Sequence, residues 1–243
     1  MRALGIIPAR YGSTRFPGKP LALINHVPMI VRVYKQVKRS TLLDEVIVAT
    51  DHIEIKRVVE EAGGKAFLTQ KDHETGSDRI AEVAEAFDCD FVVNIQGDEP
   101  LIDATLIDDI INKAQAHPQS VISAMTKIED RASIDDPNNV KVVSNEEGKA
   151  LYFSRSPIPY NRQGSKVNYY KHIGIYGYPK SILLQFIKWK PSTLETIEVL
   201  EQLRLMENNI PIHLVETNQQ LIGVDNPDDI QKVEKLLEAQ NNE

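Results

Sequence analysis

Several features that mark common protein classes are scarce in this chain. Its 243 residues include one cysteine, Cys89, which cannot form an internal disulfide and which we expect to be buried. No apolar run approaches membrane-spanning length, and the N-terminus lacks the apolar segment of a signal peptide. The 28 Lys and Arg residues are outnumbered by 35 Asp and Glu, giving a net charge of −7 that argues against a general nucleic-acid binder. We therefore expect a cytoplasmic protein that binds neither membranes nor nucleic acid.

Two familiar nucleotide-binding motifs are also missing. A Walker loop has the pattern Gly-x-x-x-x-Gly-Lys-Ser/Thr, and its hydroxyl holds magnesium. Here five residues separate Gly12 from Gly18, and Pro20 follows Lys19, so that hydroxyl is absent. No Gly-x-Gly-x-x-Gly follows the first predicted strand, which excludes the dinucleotide fingerprint.

The N-terminal segment nevertheless has the composition of a phosphate-binding loop. A short apolar run, 3–7, predicts a buried first strand that leads directly into this loop. Gly12 and Gly18 allow the backbone to approach a ligand closely, and the cations of the loop can neutralise phosphates. These cations are Arg10, Arg15 and Lys19. Because open α/β sheets bind ligands where the strands end, we interpret the segment as a triphosphate-binding loop; alone, it could equally be a basic surface loop.

Strands and helices alternate through the first half of the sequence. Strands are predicted over 3–7, 46–50, 65–69, 91–95 and 121–125, and helices over 28–39, 53–62, 77–87 and 103–116. This order predicts an α/β fold with a mostly parallel sheet and helices on both faces. Beyond residue 128 we expect a hairpin (140–143 and 150–153), strands over 170–178 and 212–216, and helices over 181–189, 194–206 and from Pro227 onward. We interpret the hairpin and its loops as an insertion on the same sheet, within one domain.

Two carboxylates are candidate metal ligands. Gly97 permits a sharp turn after the strand over 91–95, so that Asp98 projects from the carboxyl edge of the sheet towards the first loop. A carboxylate beside nucleotide phosphates usually holds Mg²⁺. Asp225 precedes a helix that Asn226 is expected to cap. Since Asp225 is not needed for that cap, its carboxylate is a candidate second ligand. The alternatives are turn formation for Asp98 and an ordinary surface position for Asp225.

Other polar residues are ambiguous on pattern alone. Ser77 is predicted as the N-cap of the helix over 77–87, although helix-start groups can also contact a base or phosphate. Glu198, Glu201 and Gln202 share a helical face that would ordinarily be solvated. The remaining residues lie in the insertion, where a structural role is as compatible with the pattern as a catalytic one. They are Arg155, His172 and Tyr176.

Taken together, these segments resemble the 3-deoxy-manno-octulosonate cytidylyltransferase family, also called CMP-Kdo synthetases. The resemblance is carried by residues 7–21, 48–51, 75–79, 96–100, 150–155, 172–178, 200–204 and 223–225. It spans nearly the whole chain in the right order. It implies a homodimeric, Rossmann-like nucleotidyltransferase with a β-rich insertion for sugar binding and dimerisation. Within a single domain over 1–243, residues 1–128 would mainly bind CTP and 129–210 would mainly bind the sugar and form dimer contacts. Residues 211–243 would supply the return strand, a metal-binding Asp and the final helix.

The resemblance also implies a reaction and a set of site residues. CMP passes from CTP to the C2 hydroxyl of 3-deoxy-D-manno-octulosonate (Kdo), a lipopolysaccharide sugar, and diphosphate leaves. Arg10, Lys19, Asp98 and Asp225 would be catalytic, with Asp98 and Asp225 binding Mg²⁺. Substrate contacts would come from Arg10, Arg15, Lys19, Ser77, Arg79, Gln96, Arg155, His172, Tyr176, Glu201 and Gln202.

Three alternatives remain. The first is a cytidylyltransferase for the 8-amino analogue of Kdo or for another acidic sugar, which the sequence does not exclude. A CMP-sialic acid synthetase typically carries a Gly-Gly-Ser-Lys pattern in its first loop, which is absent here. A non-catalytic nucleotide-binding or scaffold protein is disfavoured because both candidate metal ligands accompany the cationic loop.

Overall fold

The computed structural model describes residues 1–12, 16–70, 73, 75–219 and 221–241. The chain forms two compact units, Met1–Asp108 with Leu221–Glu243, and Asp109–Gln220. Within the described part, no helix has the length and apolar character needed to cross a membrane. Cys89 is free and buried, as predicted.

The first unit is built on parallel strands. Its strands are β1 (Ala3–Ala9), the short antiparallel pair β2 (Leu23–Ile24) and β3 (Val27–Pro28), β4 (Glu45–Thr50), β5 (Ala66–Leu68) and β6 (Phe91–Asn94). Its helices are α1 (Met29–Val37), α2 (Ile53–Glu61), α3 (Gly76–Ala86) and the first part of α4 (Ala104–Ala116). Strand β1 pairs in parallel with β4 and β6, and β4 pairs in parallel with β5. Nearly every residue of β1 is buried, as expected for a central strand covered on both faces.

The second unit has a mixed sheet. Its elements are β7 (Val121–Ile128), α5 (Arg131–Asp135), β8 (Lys141–Ser144), β9 (Ala150–Ser154), β10 (Tyr169–Pro179), α6 (Lys180–Phe186), α7 (Thr193–Glu198), α8 (Gln202–Glu207) and β11 (Ile212–Glu216). Strand β10 runs antiparallel to β7 and β8, β8 runs antiparallel to β9, and β11 runs parallel to β7. The final helix, α9 (Pro227–Asn241), belongs to the first unit, where Val233 packs with Ile24 and Met29.

The predicted α/β class with mainly parallel strands is confirmed. Every strand and helix predicted over the first 116 residues is present, with ends displaced by two residues or fewer. The division into 1–128, 129–210 and 211–243 differs from the two compact units, since β7 and β11 both lie in the second unit. The assignment of substrates to those three segments stays a prediction.

The prediction of one continuous helix over 194–206 is wrong. The segment 194–206 is two short helices, because α7 ends at Glu198 and Val199 adopts the left-handed conformation (φ 54°, ψ 51°). A β-branched residue in that region costs about 1–3 kcal/mol, so surrounding contacts must hold it there.

Candidate active site

The loop after β1 is closed by Gly18. Its backbone N–H donates to the Tyr11 carbonyl over 3.0 Å, and its φ of 69° lies in the left-handed region that glycine adopts without strain. Lys19 follows in a short 3₁₀ turn, and Arg10 is exposed at the other end of the loop. Arg15 lies outside the described residues, so its predicted contact with substrate stays a prediction.

Lys19 brings the two predicted metal ligands together. Its Nζ lies 2.6 Å from Asp98 Oδ2 and 3.8 Å from Asp225 Oδ1, and it donates to the Val224 carbonyl over 2.9 Å. The Lys19 side chain is 15% exposed and that of Asp98 32%, so water screens this pair only in part, whereas Asp225 is 53% exposed and its charge is screened more strongly. A cation and two carboxylates therefore converge on one point.

Close backbone packing places Asp98 there. A Cβ at Gly97 would lie 2.6 Å from the Pro8 carbonyl oxygen, so only glycine allows this turn to pack against β1. The Val224 N–H donates to the Asp98 carbonyl over 2.9 Å and joins the two carboxylate-bearing segments. The backbone N–H of Asp225 donates to Asp229 at the start of α9, which leaves the Asp225 carboxylate outside the helix cap, as predicted.

These groups line a cavity of about 320 Å³ in the first unit, a volume suited to a small ligand. Its polar and charged lining includes Arg10, Lys19, His73, Thr75, Arg79, Gln96, Asp98 and Asp225. Across the described ranges, no group of three or more His, Cys, Asp and Glu side chains is arranged to hold a metal. A hard cation beside Asp98 and Asp225 would therefore complete its coordination with water and ligand oxygens, as Mg²⁺ commonly does.

The start of α3 differs from the prediction. Thr75, not Ser77, is the N-cap, because its side chain accepts from the Asp78 N–H while Asp78 accepts from the Thr75 N–H in a capping box. Ser77 is buried in the first turn. The Thr-x-x-Asp spacing was the signal for this cap.

Arg79 supports the loop as well as lining the cavity. Its side chain is buried, with Nη2 3.5 Å from Asp51 Oδ2 and Nη1 donating to the Gln70 carbonyl over 3.2 Å. The other Asp51 oxygen accepts from the Tyr11 N–H over 3.0 Å. Arg79 thus stabilises the loop through Asp51, and its predicted contact with substrate stays a prediction.

A second polar group is assembled in the second unit. His172 Nε2 lies 3.0 Å from Ser123 Oγ, and the His172 and Tyr176 rings are 5.3 Å apart. Burial, with a smaller effect from Lys171, lowers the pKa of His172 to about 3, so the imidazole is neutral at pH 7. Burial also raises the pKa of Tyr176, and the nearby Glu201 charge adds to this. Ser123 was missed, although it is the hydroxyl within the otherwise apolar run 121–125.

Gln202 begins α8, directly after Glu201. The residue is only 6% exposed, and within the described part of the chain its Nε2 has no hydrogen-bond acceptor. A buried donor without a partner costs about 1–3 kcal/mol, so a polar ligand that accepts from it would recover that energy.

The Arg155 guanidinium is bound to main-chain carbonyls. Nε donates to Glu198 over 2.7 Å, Nη1 to Pro137 over 3.0 Å, and Nη2 to Val199 over 3.2 Å. The structure therefore brings together His172, Tyr176 and Glu201, while it joins Arg155 to the turn that precedes Glu201.

Comparison with known proteins places this geometry in context. Residues 4–216 match the model of a family described as cytidylyltransferase. The chain is 46% identical to the 3-deoxy-manno-octulosonate cytidylyltransferase of Thermodesulfovibrio yellowstonii, with 98% of each chain covered. It is 47% identical to that of Geotalea uraniireducens, covering 98% of this chain and 99% of the relative.

A solved structure of CMP:2-keto-3-deoxy-manno-octonic acid synthetase complexed with CTP superposes with a TM-score of 0.95 at 41% identity. The superposition covers 99% of this chain and 100% of the chain in the solved structure. A 4-diphosphocytidyl-2C-methyl-D-erythritol synthase from Anaerococcus prevotii, at 16% identity and a TM-score of 0.66, shares the fold; 98% of each chain is covered.

Proposed function

Because this chain belongs to the 3-deoxy-manno-octulosonate cytidylyltransferase family, we propose that it transfers CMP from CTP to the anomeric hydroxyl of Kdo and releases diphosphate. The observation that carries the proposal is the position of Lys19 against both Asp98 and Asp225 in the cavity beside the first loop. That arrangement combines a cation for phosphate oxygens with two hard ligands for a metal ion.

The first unit would hold the nucleotide. Lys19 and Arg10 would neutralise the triphosphate. The hydrogen bond from the Gly18 N–H to the Tyr11 carbonyl joins the two ends of the loop, and the loop backbone would contact the ligand. Gln96 lines the same cavity, and we expect it to lie between nucleotide and sugar. Displacement at the α-phosphorus needs positioning and charge neutralisation more than a protein nucleophile, and these residues supply both.

Mg²⁺ fits the donor set at this point. Asp98 and Asp225 both present carboxylate oxygens within 4 Å of one atom, Lys19 Nζ, and both side chains are partly exposed to the cavity or solvent. When bound, the ion would neutralise phosphate charge and favour departure of diphosphate. Asp98 and Asp225 are the residues that would hold it.

The second unit would hold the sugar. Neutral His172, protonated Tyr176, charged Glu201 and the Gln202 amide together offer the donors and acceptors that a polyhydroxylated acid requires. Fixed polar partners of this kind also discriminate between sugars, because a mismatched ligand leaves a buried group unpaired. The C2 hydroxyl of the sugar attacks the α-phosphorus, forming the new P–O bond as the bond to diphosphate breaks.

We propose as well that the enzyme works as a homodimer in the cytoplasm, where CTP is available. Large apolar side chains that are more than half exposed in the second unit are compatible with this association; they include Leu151, Tyr160 and Ile197. Light scattering should give twice the chain mass of 27.4 kDa.

The direct test is diphosphate release from CTP in the presence of Mg²⁺ and Kdo, with CMP-Kdo identified by mass. A reaction without sugar controls for hydrolysis of CTP. Release with 8-amino-Kdo but not with Kdo would assign the alternative sugar. Absence of release with both sugars would reject the proposed activity.

A further inference from the structure

The turn between α7 and α8 contains a strained residue. Val199 has φ 54° and ψ 51°, and its side chain is 73% exposed, so packing within the chain does not compensate for the conformation. The other described non-glycine residues with positive φ are Asn25, His26 and Asn209, whose side chains tolerate it better. Specific hydrogen bonds must therefore hold Val199.

Arg155 supplies two of them, in addition to the bonds that the Val199 and Leu200 N–H groups donate to the Glu195 carbonyl at the end of α7. Its Nε and Nη2 donate to the carbonyls of Glu198 and Val199, which flank the strained φ and ψ angles. The backbone N–H of Arg155 also donates to Glu198 Oε2 over 2.9 Å, and Ser154 Oγ donates to Glu198 Oε1 over 2.6 Å. Both the main chain and the side chain of Glu198 are thus tied to the end of β9.

The third bond of the guanidinium anchors this clamp. Nη1 donates to the Pro137 carbonyl, within a segment that is itself held by Lys141. Lys141 is fully buried, and its Nζ donates to the carbonyls of Asp136 over 2.9 Å and Asn139 over 2.6 Å. Arg155 therefore joins the strained turn to a fixed segment.

This turn decides where Glu201 and Gln202 point. The periodicity of 194–206 favours one continuous helix, and relaxation of Val199 to ordinary helical angles would rotate both side chains about the helix axis. We propose that Arg155 is a positioning residue, which acts through the main chain of Glu198 and Val199 to orient Glu201 and Gln202 for the sugar. The inference rests on the proposed function, and it replaces the expectation that Arg155 itself contacts the sugar.

A rescue experiment separates the two roles. Arg155→Ala should raise the KM for Kdo by about 10- to 100-fold, because small misplacements of binding groups have effects of that size. The dissociation constant for CTP, measured by calorimetry, should change by less than about twofold, since Arg155 lies in the other unit. Adding Val199→Gly should restore most of the sugar KM, because glycine adopts the left-handed conformation without a clamp.

Arg131→Ala is the matched control, since it removes an exposed arginine of the same unit that pairs with Asp135 on its own helix. Arg155→Lys keeps the charge but cannot span three carbonyls, and it should raise the KM in the same direction even if Arg155→Ala folds poorly. An unchanged KM in Arg155→Lys, or a double variant no better than Arg155→Ala, would overturn the proposal and return Arg155 to direct sugar contact or to a merely structural role.

Hydrogen exchange tests the clamp without any activity. Peptides covering 196–205 should exchange faster in Arg155→Ala than in the parent chain, and Arg131→Ala should leave them unchanged. If the parent chain releases no diphosphate with either sugar, the proposed function fails while this measurement still decides whether Arg155 holds the turn. Unchanged exchange in Arg155→Ala would overturn the clamp.

Discussion

The ammonium nitrogen of Lys19 lies 2.6 Å from a carboxylate oxygen of Asp98, in a place where the side chain of each residue is mostly shielded from water. Lys19 thus already neutralises the carboxylate of Asp98, to which a metal ion would bind. A cation held by Asp98 would be repelled by Lys19 unless negative phosphate charge lay between them. Metal binding and nucleotide binding should therefore be coupled.

We expect CTP to strengthen Mg²⁺ binding, and Lys19→Met to uncouple the two. Without the competing ammonium group, Mg²⁺ should bind the free variant more tightly than it binds the parent, while kcat/KM for CTP falls by about 100-fold. Calorimetric titration of Mg²⁺ with and without CTP measures the coupling. Lys35→Met, an exposed lysine on α1, is the control. Equal Mg²⁺ affinity in the parent and in Lys19→Met would refute the competition.

The two carboxylates should differ from their neighbours in metal dependence. Asp98→Asn and Asp225→Asn should each lower turnover by at least about 100-fold and raise the Mg²⁺ requirement, because a neutral amide is a weaker ligand. Asp228→Asn, at the start of α9 in the same unit, should behave as the parent chain. Melting curves check that the fold is retained. Turnover like that of the parent at limiting Mg²⁺ would remove the substituted residue from the metal site.

The sequence predicts the first-unit architecture well because its signals are local. The apolar run 3–7 predicts β1, which the structure extends to Ala3–Ala9. Asp98 projects beyond the end of β6 because Gly97 turns the chain there. Gly97 can do so because it lacks a Cβ, which would clash with the Pro8 carbonyl oxygen of the adjacent strand. Parallel strands bring such loop residues to one edge, so their proximity can be anticipated.

The roles of Arg79 and Arg155 could not be anticipated in the same way. Arg79 pairs with Asp51, which is 28 residues away, and Arg155 bonds to carbonyls 43 and 44 residues away. Main-chain carbonyls carry no sequence signature, so nothing in the pattern of 194–206 shows that Arg155 donates to the carbonyls of Glu198 and Val199, where α7 ends. Helical periodicity was correct locally and was overridden by tertiary hydrogen bonds.

Substitution of Gln202 should increase the stability of the fold and weaken sugar binding. Gln202→Leu removes the unpaired Nε2 donor at nearly constant volume, so the free energy of unfolding should rise by about 1 kcal/mol. The KM for Kdo should rise by about tenfold or more, since the amide can no longer bind the sugar. Gln185→Leu, at an exposed position of α6, should change neither quantity. Denaturant unfolding and steady-state rates measure the two effects. A Gln202→Leu variant that is less stable but normal in sugar use would assign Gln202 to packing alone.

His172 should make the second unit sensitive to acid. Its pKa in the folded chain is about 3, lowered first by burial and then by Lys171, whereas an exposed histidine has an ordinary pKa of about 6.5. Between these values the unfolded chain binds the additional proton, so stability is full above about pH 6.5 and falls as the pH drops towards 3. His172→Gln cannot be protonated and can still bond to Ser123, so its stability should decline less steeply across this window. Denaturant midpoints measured from pH 7 to pH 4 give the slope, and the exposed His26→Asn variant should keep the slope of the parent. If His172→Gln kept that slope as well, the imidazole would be accessible to protons in the folded chain, and it could not serve as a permanently neutral sugar ligand.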